Sequence, residues 1–217
     1  MTITVYGGGL SPYTRKVMVF LAEKGVDFEH EPLSPFNAPG WFAEISPLGK
    51  MPVMRDTDVG EVATVPDSSA ICAYLERKHP LPALYPVDAF EYARALWYEE
   101  HADTALAEAI GGIFYATVVL PRIGREPDEA MAARAREKLV PKAFAYMDRE
   151  VADKEFLVGD AFSIADIAVA AQLANHSLAG ETMDARTYPN LAAYADRLHA
   201  RPSFAPLLEA ARTALGG

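Results

Sequence analysis

Three short motifs in the first third of the chain carry side chains whose types and order could do chemistry. They are Ser11-Pro12-Tyr13-Thr14-Arg15-Lys16-Val17, Gly49-Lys50-Met51-Pro52 and Pro66-Asp67-Ser68-Ser69. Ser11 follows a strand-like segment and opens a helical one, where backbone N–H groups are unpaired and the helix dipole favours negative charge. A hydroxyl there can donate to an anion. A free thiol titrates near ~8.5, and lowering that value by about two units requires about 2.7 kcal/mol of preference for the thiolate. One hydrogen bond to a charged acceptor supplies roughly 1.5 to 3 kcal/mol, and the helix terminus roughly 0.3 to 1 more. Together they suffice to keep a thiol ionised near neutral pH. The same residues also suit a purely structural part, with Ser11 capping the helix and Pro12 setting its first turn.

The other two motifs suit the remainder of a small anionic thiol peptide. A cis bond before Pro52 would turn the backbone N–H and C=O of Met51 outward, toward a ligand. Lys50 beside it is either a solvated charge or a partner for a ligand carboxylate. At the start of a second helix, Ser68 can bind an anion through its hydroxyl and the free N–H groups, while Asp67 accepts from an ammonium. Asp and Ser are equally the preferred helix caps.

Other chemistries have less support. Cys72 is the only cysteine, so a Cys-x-x-Cys dithiol mechanism and an intrachain disulfide are excluded, and within a helix between Ile71 and Tyr74-Leu75 it reads as packing. None of the five histidines pairs at metal-ligand spacing, so no metal is expected. Gly7-Gly8-Gly9 lacks dinucleotide-loop spacing. A formal net charge of -10 without a Lys/Arg run argues against nucleic acid and anionic membrane surfaces as partners. With no basic leader and no stretch of spanning length expected, a soluble protein in the reducing cytoplasm is the natural reading.

The elements that must position these motifs form two groups. Residues 1–79 read as a βαβ unit, a short extra helix and a ββα unit. Strands fall at Ile3 to Tyr6, Phe28 to Leu33, Pro52 to Asp56 and Glu61 to Val65. Helices fall at Thr14 to Lys24, with Val17, Phe20 and Leu21 on its buried face, and at Ser68 to Lys78. Trp41, Phe42 and Ile45 suggest the short helix within the proline-rich stretch Ser34 to Leu48. Residues 80–87, rich in proline, form a linker. Residues 88–217 are alanine-rich and read as all helical, with helices at about Ala89 to Tyr115, Asp128 to Val151, Ile164 to Ser177, Pro189 to His199 and Ser203 to Ala214. Pro121 and Gly124 are the expected stop signals of the first. The fold class is α/β plus all-α.

On these motifs the chain resembles the cytosolic glutathione S-transferases, over its whole length. The serine motif at Ser11 is similar to that of tau-like and many bacterial members. Gly159-Asp160-Ala161-Phe162-Ser163-Ile164-Ala165-Asp166 resembles the family's helix-start motif, and Ser163 with Asp166 also reads independently as a capping box. The resemblance implies a thioredoxin-like N-terminal domain, a helical C-terminal domain, a homodimer and a role in detoxification. By it, Ser11 would activate the glutathione thiol, Met51 would pair with the cysteinyl backbone before cis-Pro52, Asp67 and Ser68 would hold the γ-glutamyl end, and Lys50 would lie near the glycyl carboxylate. A small hydrophobic electrophile would lie between the domains, near Tyr13 and the helix carrying Trp97, Glu100, His101 and Thr104, with Phe114 and Tyr115 in reach. Trp97, His101 and Thr104 share one helix face by spacing. Tyr6 and Tyr13 stay open as thiol-activating alternatives. A non-catalytic binding protein, or a glutathione-dependent dehalogenase, ether-cleaving enzyme or peroxidase, stays open as the function.

Overall fold

A computed structural model describes residues 2–60 and 62–216. The chain divides into two compact units, Met1–Tyr85 and Pro86–Gly217. The first is built on four strands, β1 (Ile3–Tyr6), β2 (Phe28–Glu31), β3 (Val53–Asp56) and β4 (Thr64–Pro66), in the order β2-β1-β3-β4. β1 runs parallel to β2, and β3 antiparallel to both β1 and β4. The parallel pair requires a crossover, which α1 (Pro12–Glu23) supplies. A short α2 (Phe42–Ile45) follows β2, and α3 (Ser68–Lys78) follows β4. One sheet face buries Tyr6 and Val53 against Phe42 of α2. The edge strand β2, Phe-Glu-His-Glu, is blunted by charge.

The elements match the sequence reading closely, with four informative differences. α1 begins at Pro12, two residues earlier than expected, because Ser11 is its cap. α1 is also buried from Thr14 through Leu21 rather than on one apolar face. Arg15 and Lys16 are buried whole, head groups included, with an Arg15 terminal nitrogen donating to Gly9 O and Lys16 Nζ to Ser69 Oγ. Trp41 stays 40% exposed, so of the expected apolar trio Phe42 is the residue that seals the sheet. β2 ends at Glu31 rather than Leu33, and Glu61, the expected start of the last strand, lies outside the described residues.

The second unit is helical, with a long helix Ala89–Arg122, a second over residues 129–150, and three more at Ile164–Leu178, Pro189–His199 and Ala205–Leu215. The first runs past the expected end at Tyr115 and carries Pro121 inside its last turn. A proline ring inside a helix crowds the carbonyl four residues back and lacks the N–H that would bond it. Both internal prolines follow a widened π-helical turn, Tyr115–Val119 before Pro121 and Ala135–Leu139 before Pro141. The N–H of Leu120 reaches the Tyr115 carbonyl, and that of Val140 the Ala135 carbonyl, five residues back, which opens the helix where the ring needs room. A third such turn, Ala102–Leu106, has no proline after it and nothing in its sequence marks it.

The reading that no stretch reaches spanning length also needs correction: by length and composition, the helix Ala89–Arg122 could cross a membrane. Its apolar residues Leu106, Ile110, Ile113 and Phe114 are buried within the protein.

Candidate active site

Strand register brings the three motifs to one end of the sheet. Tyr6 at the end of β1 faces Val53 at the start of β3, and Val53 faces Pro66 at the end of β4. The segment leading to Ser11, the Lys50-Met51-Pro52 loop and Asp67-Ser68 therefore emerge from three adjacent strands. At about 4.8 Å per strand they span roughly 10 Å, the length of an extended tripeptide at about 3.4 Å per residue. Hydrogen bonds cross between the motifs: Asp67 N donates to Pro52 O at 3.3 Å, and Lys16 Nζ donates to Ser69 Oγ at 3.0 Å.

Ser11 is the N-cap of α1. Its backbone N–H donates to Gly8 O at 2.9 Å and its Oγ accepts from Thr14 N at 3.3 Å. A hydroxyl that accepts one bond still has its proton to donate. The first turn of α1 holds no acidic residue to oppose an anion, and Arg15 lies within it. Burial lowers the Arg15 guanidinium to about 10, which leaves it charged at neutral pH. Tyr13 is half-buried in the same turn. Tyr6 is buried, edge-on to Trp41 at 5.6 Å, with the Arg55 guanidinium 5.2 Å from its ring centre. Burial pushes the Tyr6 phenol up, a shift that Arg55 opposes, so proton release there is harder than from a free tyrosine.

The Met51–Pro52 peptide is cis. Lys50 is exposed, and its carbonyl accepts from the buried Ser46 hydroxyl at 2.7 Å. Ser46 thus fixes the loop that carries Lys50 and Met51. Asp67 caps α3, its Oδ1 accepting from Ser69 N at 2.9 Å and Ala70 N at 3.1 Å. Its backbone lies at φ 79°, ψ 130°, a region that side-chain-bearing residues rarely occupy. Ser68 follows, buried, in the first turn.

In the helical unit, Trp97 and His101 stack at 6.2 Å, and His101 meets Tyr146 edge-on at 4.9 Å. Trp97 Nε1 also donates to the Tyr146 hydroxyl at 3.3 Å. Burial lowers the His101 pKa against the opposing pull of Glu150, and its Nε2 has no hydrogen-bond partner among the described residues. Thr104 is exposed and its hydroxyl donates to the Glu100 carbonyl of its own helix at 2.7 Å. Tyr115 lies farther along, opening the second widened turn. Trp97 and His101 are thus grouped with Tyr146, and Thr104 and Tyr115 are not part of that contact. Among the described residues no cluster of three or more His, Cys, Asp or Glu could hold a metal.

Lys16, Ser46 and Tyr146 were missed in the sequence. Lys16 and Ser46 look like ordinary polar residues until burial shows where their heads go, and Tyr146 comes from another helix. Ser69 had a signal, as the second hydroxyl of a Ser-Ser pair at a helix start.

A mixed four-stranded sheet with this order, joined to an all-helical unit, is a thioredoxin-like domain followed by a helical one. Residues 10–78 match the family described as glutathione S-transferase, N-terminal domain, and residues 115–210 match glutathione S-transferase, C-terminal domain. The chain is 32% identical over 171 residues to glutathione S-transferase 4 of Zea mays, covering 76% of this chain and 73% of that one. It is 32% identical over 164 residues to elongation factor 1-gamma of Schizosaccharomyces pombe, covering 76% of this chain but 38% of that longer protein. A crystal structure of a glutathione S-transferase from Methylobacterium radiotolerans, in complex with glutathione sulfonate, superposes with a TM-score of 0.79 at 32% identity, over 96% of this chain and 95% of that one. The chain belongs to the glutathione S-transferase family and is by class a glutathione transferase.

Proposed function

We propose that the chain is a serine-type glutathione S-transferase that binds glutathione across the end of the sheet and presents it as a thiolate to a small hydrophobic electrophile. The observation that supports this reading is the register that sets the end of β1, from which the chain runs on to Ser11, beside the start of β3 after Met51-Pro52 and the end of β4 before Asp67-Ser68. In it the Ser11 hydroxyl donates to the sulfur, and the positive end of α1 adds to that preference. The Met51 backbone pairs with the cysteinyl residue. Asp67 receives the γ-glutamyl ammonium, Ser68 and the α3 N-terminus receive its carboxylate, and Lys50 meets the glycyl carboxylate. The thiol proton leaves to solvent, and the sulfur lone pair forms a bond to carbon by addition or by displacing a leaving group. Rate is gained from the lowered thiol pKa and from fixed geometry. The electrophile is a small hydrophobic molecule, and the working form is a homodimer.

The test is a pH titration of enzyme-bound glutathione by ultraviolet thiolate absorbance. The wild type should show a thiol pKa below that of free glutathione, and Ser11→Ala should raise it by about one to two units while binding persists. An unchanged pKa in Ser11→Ala removes Ser11 from the mechanism and returns attention to Tyr13.

A second reading, a glutathione S-transferase-like binding or interaction protein, is favoured by one observation: a relative at 32% identity bears the name of an elongation factor rather than a transferase. Absence of glutathione binding, together with a stable protein partner, would select it.

A further inference from the structure

Lys16 is a lysine with 1% of its surface exposed, one turn into the helix that Ser11 caps. Its Nζ donates to Ser69 Oγ at 3.0 Å, across 53 residues of sequence. Ser69 is in the first turn of α3, and its backbone N–H is one of the two that hold the Asp67 carboxylate. We propose that Lys16 is a positioning residue for the γ-glutamyl end of glutathione, fixing the Asp67-Ser68 turn relative to the Ser11 end of α1. The inference rests on the binding mode proposed above.

The physical argument concerns what the bond restrains. The Asp67 backbone sits in a sparsely populated conformation, which persists where the surroundings over-determine it. The two Asp67 cap bonds and the Asp67 N to Pro52 O bond act within the β4–α3 corner and its neighbouring strand. Lys16 adds a restraint from α1 itself, the helix that would carry the sulfur's partner. A charge-assisted hydrogen bond from a buried ammonium is stronger and more directional than a contact between solvated side chains. Lys16 therefore couples the two ends of the ligand: with it, the turn is held at one distance from Ser11, and without it the α3 end must be ordered when the γ-glutamyl group arrives.

The test compares two probes, glutathione and the dipeptide cysteinylglycine, which keeps the thiol and glycyl ends but lacks the γ-glutamyl group. Dissociation constants for both are measured by calorimetry on the wild type, Lys16→Met, Ser69→Ala, the double variant and Ser69→Thr. Lys16→Met and Ser69→Ala should each weaken glutathione binding by about tenfold and leave cysteinylglycine within about twofold. The double variant should lose no more than the worse single variant, as two ends of one bond require. Ser69→Thr keeps the hydroxyl and should restore glutathione binding. Equal weakening of both probes, or additive losses in the double variant, would overturn the positioning role in favour of a general folding one. If Lys16→Met fails to fold, Ser69→Ala against Ser69→Thr decides the matter alone. A wild type that binds neither probe overturns the proposed function, and this role with it. A wild type that binds glutathione no better than cysteinylglycine overturns the γ-glutamyl role and leaves Ser11's role standing.

Discussion

Asp67 is the residue on which stability and the proposed binding role pull in different directions. Its carboxylate caps α3 while its φ of 79° places it where glycine is at ease. Loss of a cap to alanine costs about 1 kcal/mol, and loss to glycine only about a few tenths. Alanine also keeps the Cβ in its unfavourable position, whereas glycine releases a strain of about 1 to 3 kcal/mol. Asp67→Gly should therefore unfold in urea at or above the wild-type midpoint, and Asp67→Ala below it. Both should bind glutathione at least about tenfold more weakly, because both lack the group proposed to meet the ammonium. If both variants keep wild-type affinity, Asp67 is a cap and nothing more. The sequence made Asp67 visible as a cap, which the structure bears out, and as a candidate ligand, and Ser11 likewise. Lys16 and Ser46 stayed hidden for a different reason: their importance lies in where a buried head group ends, which no local pattern encodes.

At the level of elements, the far end of α3 is tied to the sheet by a small polar network. Asp56 of β3 accepts from Lys78 Nζ at 2.5 Å and from the Tyr74 hydroxyl at 2.6 Å, both on α3. Burial alone would raise the Asp56 carboxyl, but these bonds and the Asp58 N–H overcome it and hold it below its ordinary 3.8. A depressed folded-state pKa stabilises the protein fully above the unfolded-state value, and that stability is lost as pH falls through the lower folded value. Lys78→Met should thus lower the melting temperature at pH 7 by an amount equivalent to about 1 kcal/mol. The gap from wild type should close as the pH is taken down past 3.8. A gap independent of pH would mean that Lys78 contributes packing rather than charge.

Helix ends were the least legible part of the fold. Pro189–His199 and Ser68–Lys78 are marked by ordinary start and stop signals and coincide with the sequence reading. The end at Arg122 does not, because a proline reads as a stop unless a widened turn precedes it, and such a turn has no residue signature. The capping box at Ser163 and Asp166 was legible and is present. The buried Asp166 carboxylate also takes the Leu157 N–H and the Tyr194 hydroxyl, partners beyond the reach of local sequence.

At the scale of the molecule, a chain carrying a net charge of -10 repels its own copies, and that repulsion is weakened by salt. Against it stands apolar surface at the start of the helical unit, where Val87 is 95%, Phe90 74% and Trp97 50% exposed. Burying a large side chain of this kind is worth about 1.5 to 3 kcal/mol, enough for a few such contacts to outweigh screened repulsion. Sedimentation equilibrium should return twice the 23.6 kDa chain mass, with dimerisation strengthening as ionic strength rises. Phe90→Glu should shift the protein toward monomer. A wild-type monomer across the micromolar range at high salt would remove the homodimer.

The pairing of β3 beside β1 has one more consequence. Sliding β3 by a single residue would carry the Lys50-Met51-Pro52 loop about 3.4 Å along the strand and exchange the strand's two faces. Asp56 would turn away from Lys78, Arg55 would turn toward it in place of an acid, and Val53 would leave its seat against Tyr6 and Phe42. The misaligned state is thus penalised by charge repulsion and by exposed hydrocarbon before any ligand is present. The interior of the sheet acts as a proofreader for the loop at its rim, and substitutions at Val53 or Asp56, whose side chains belong to the packing of the sheet, would be felt as errors in where that loop is placed.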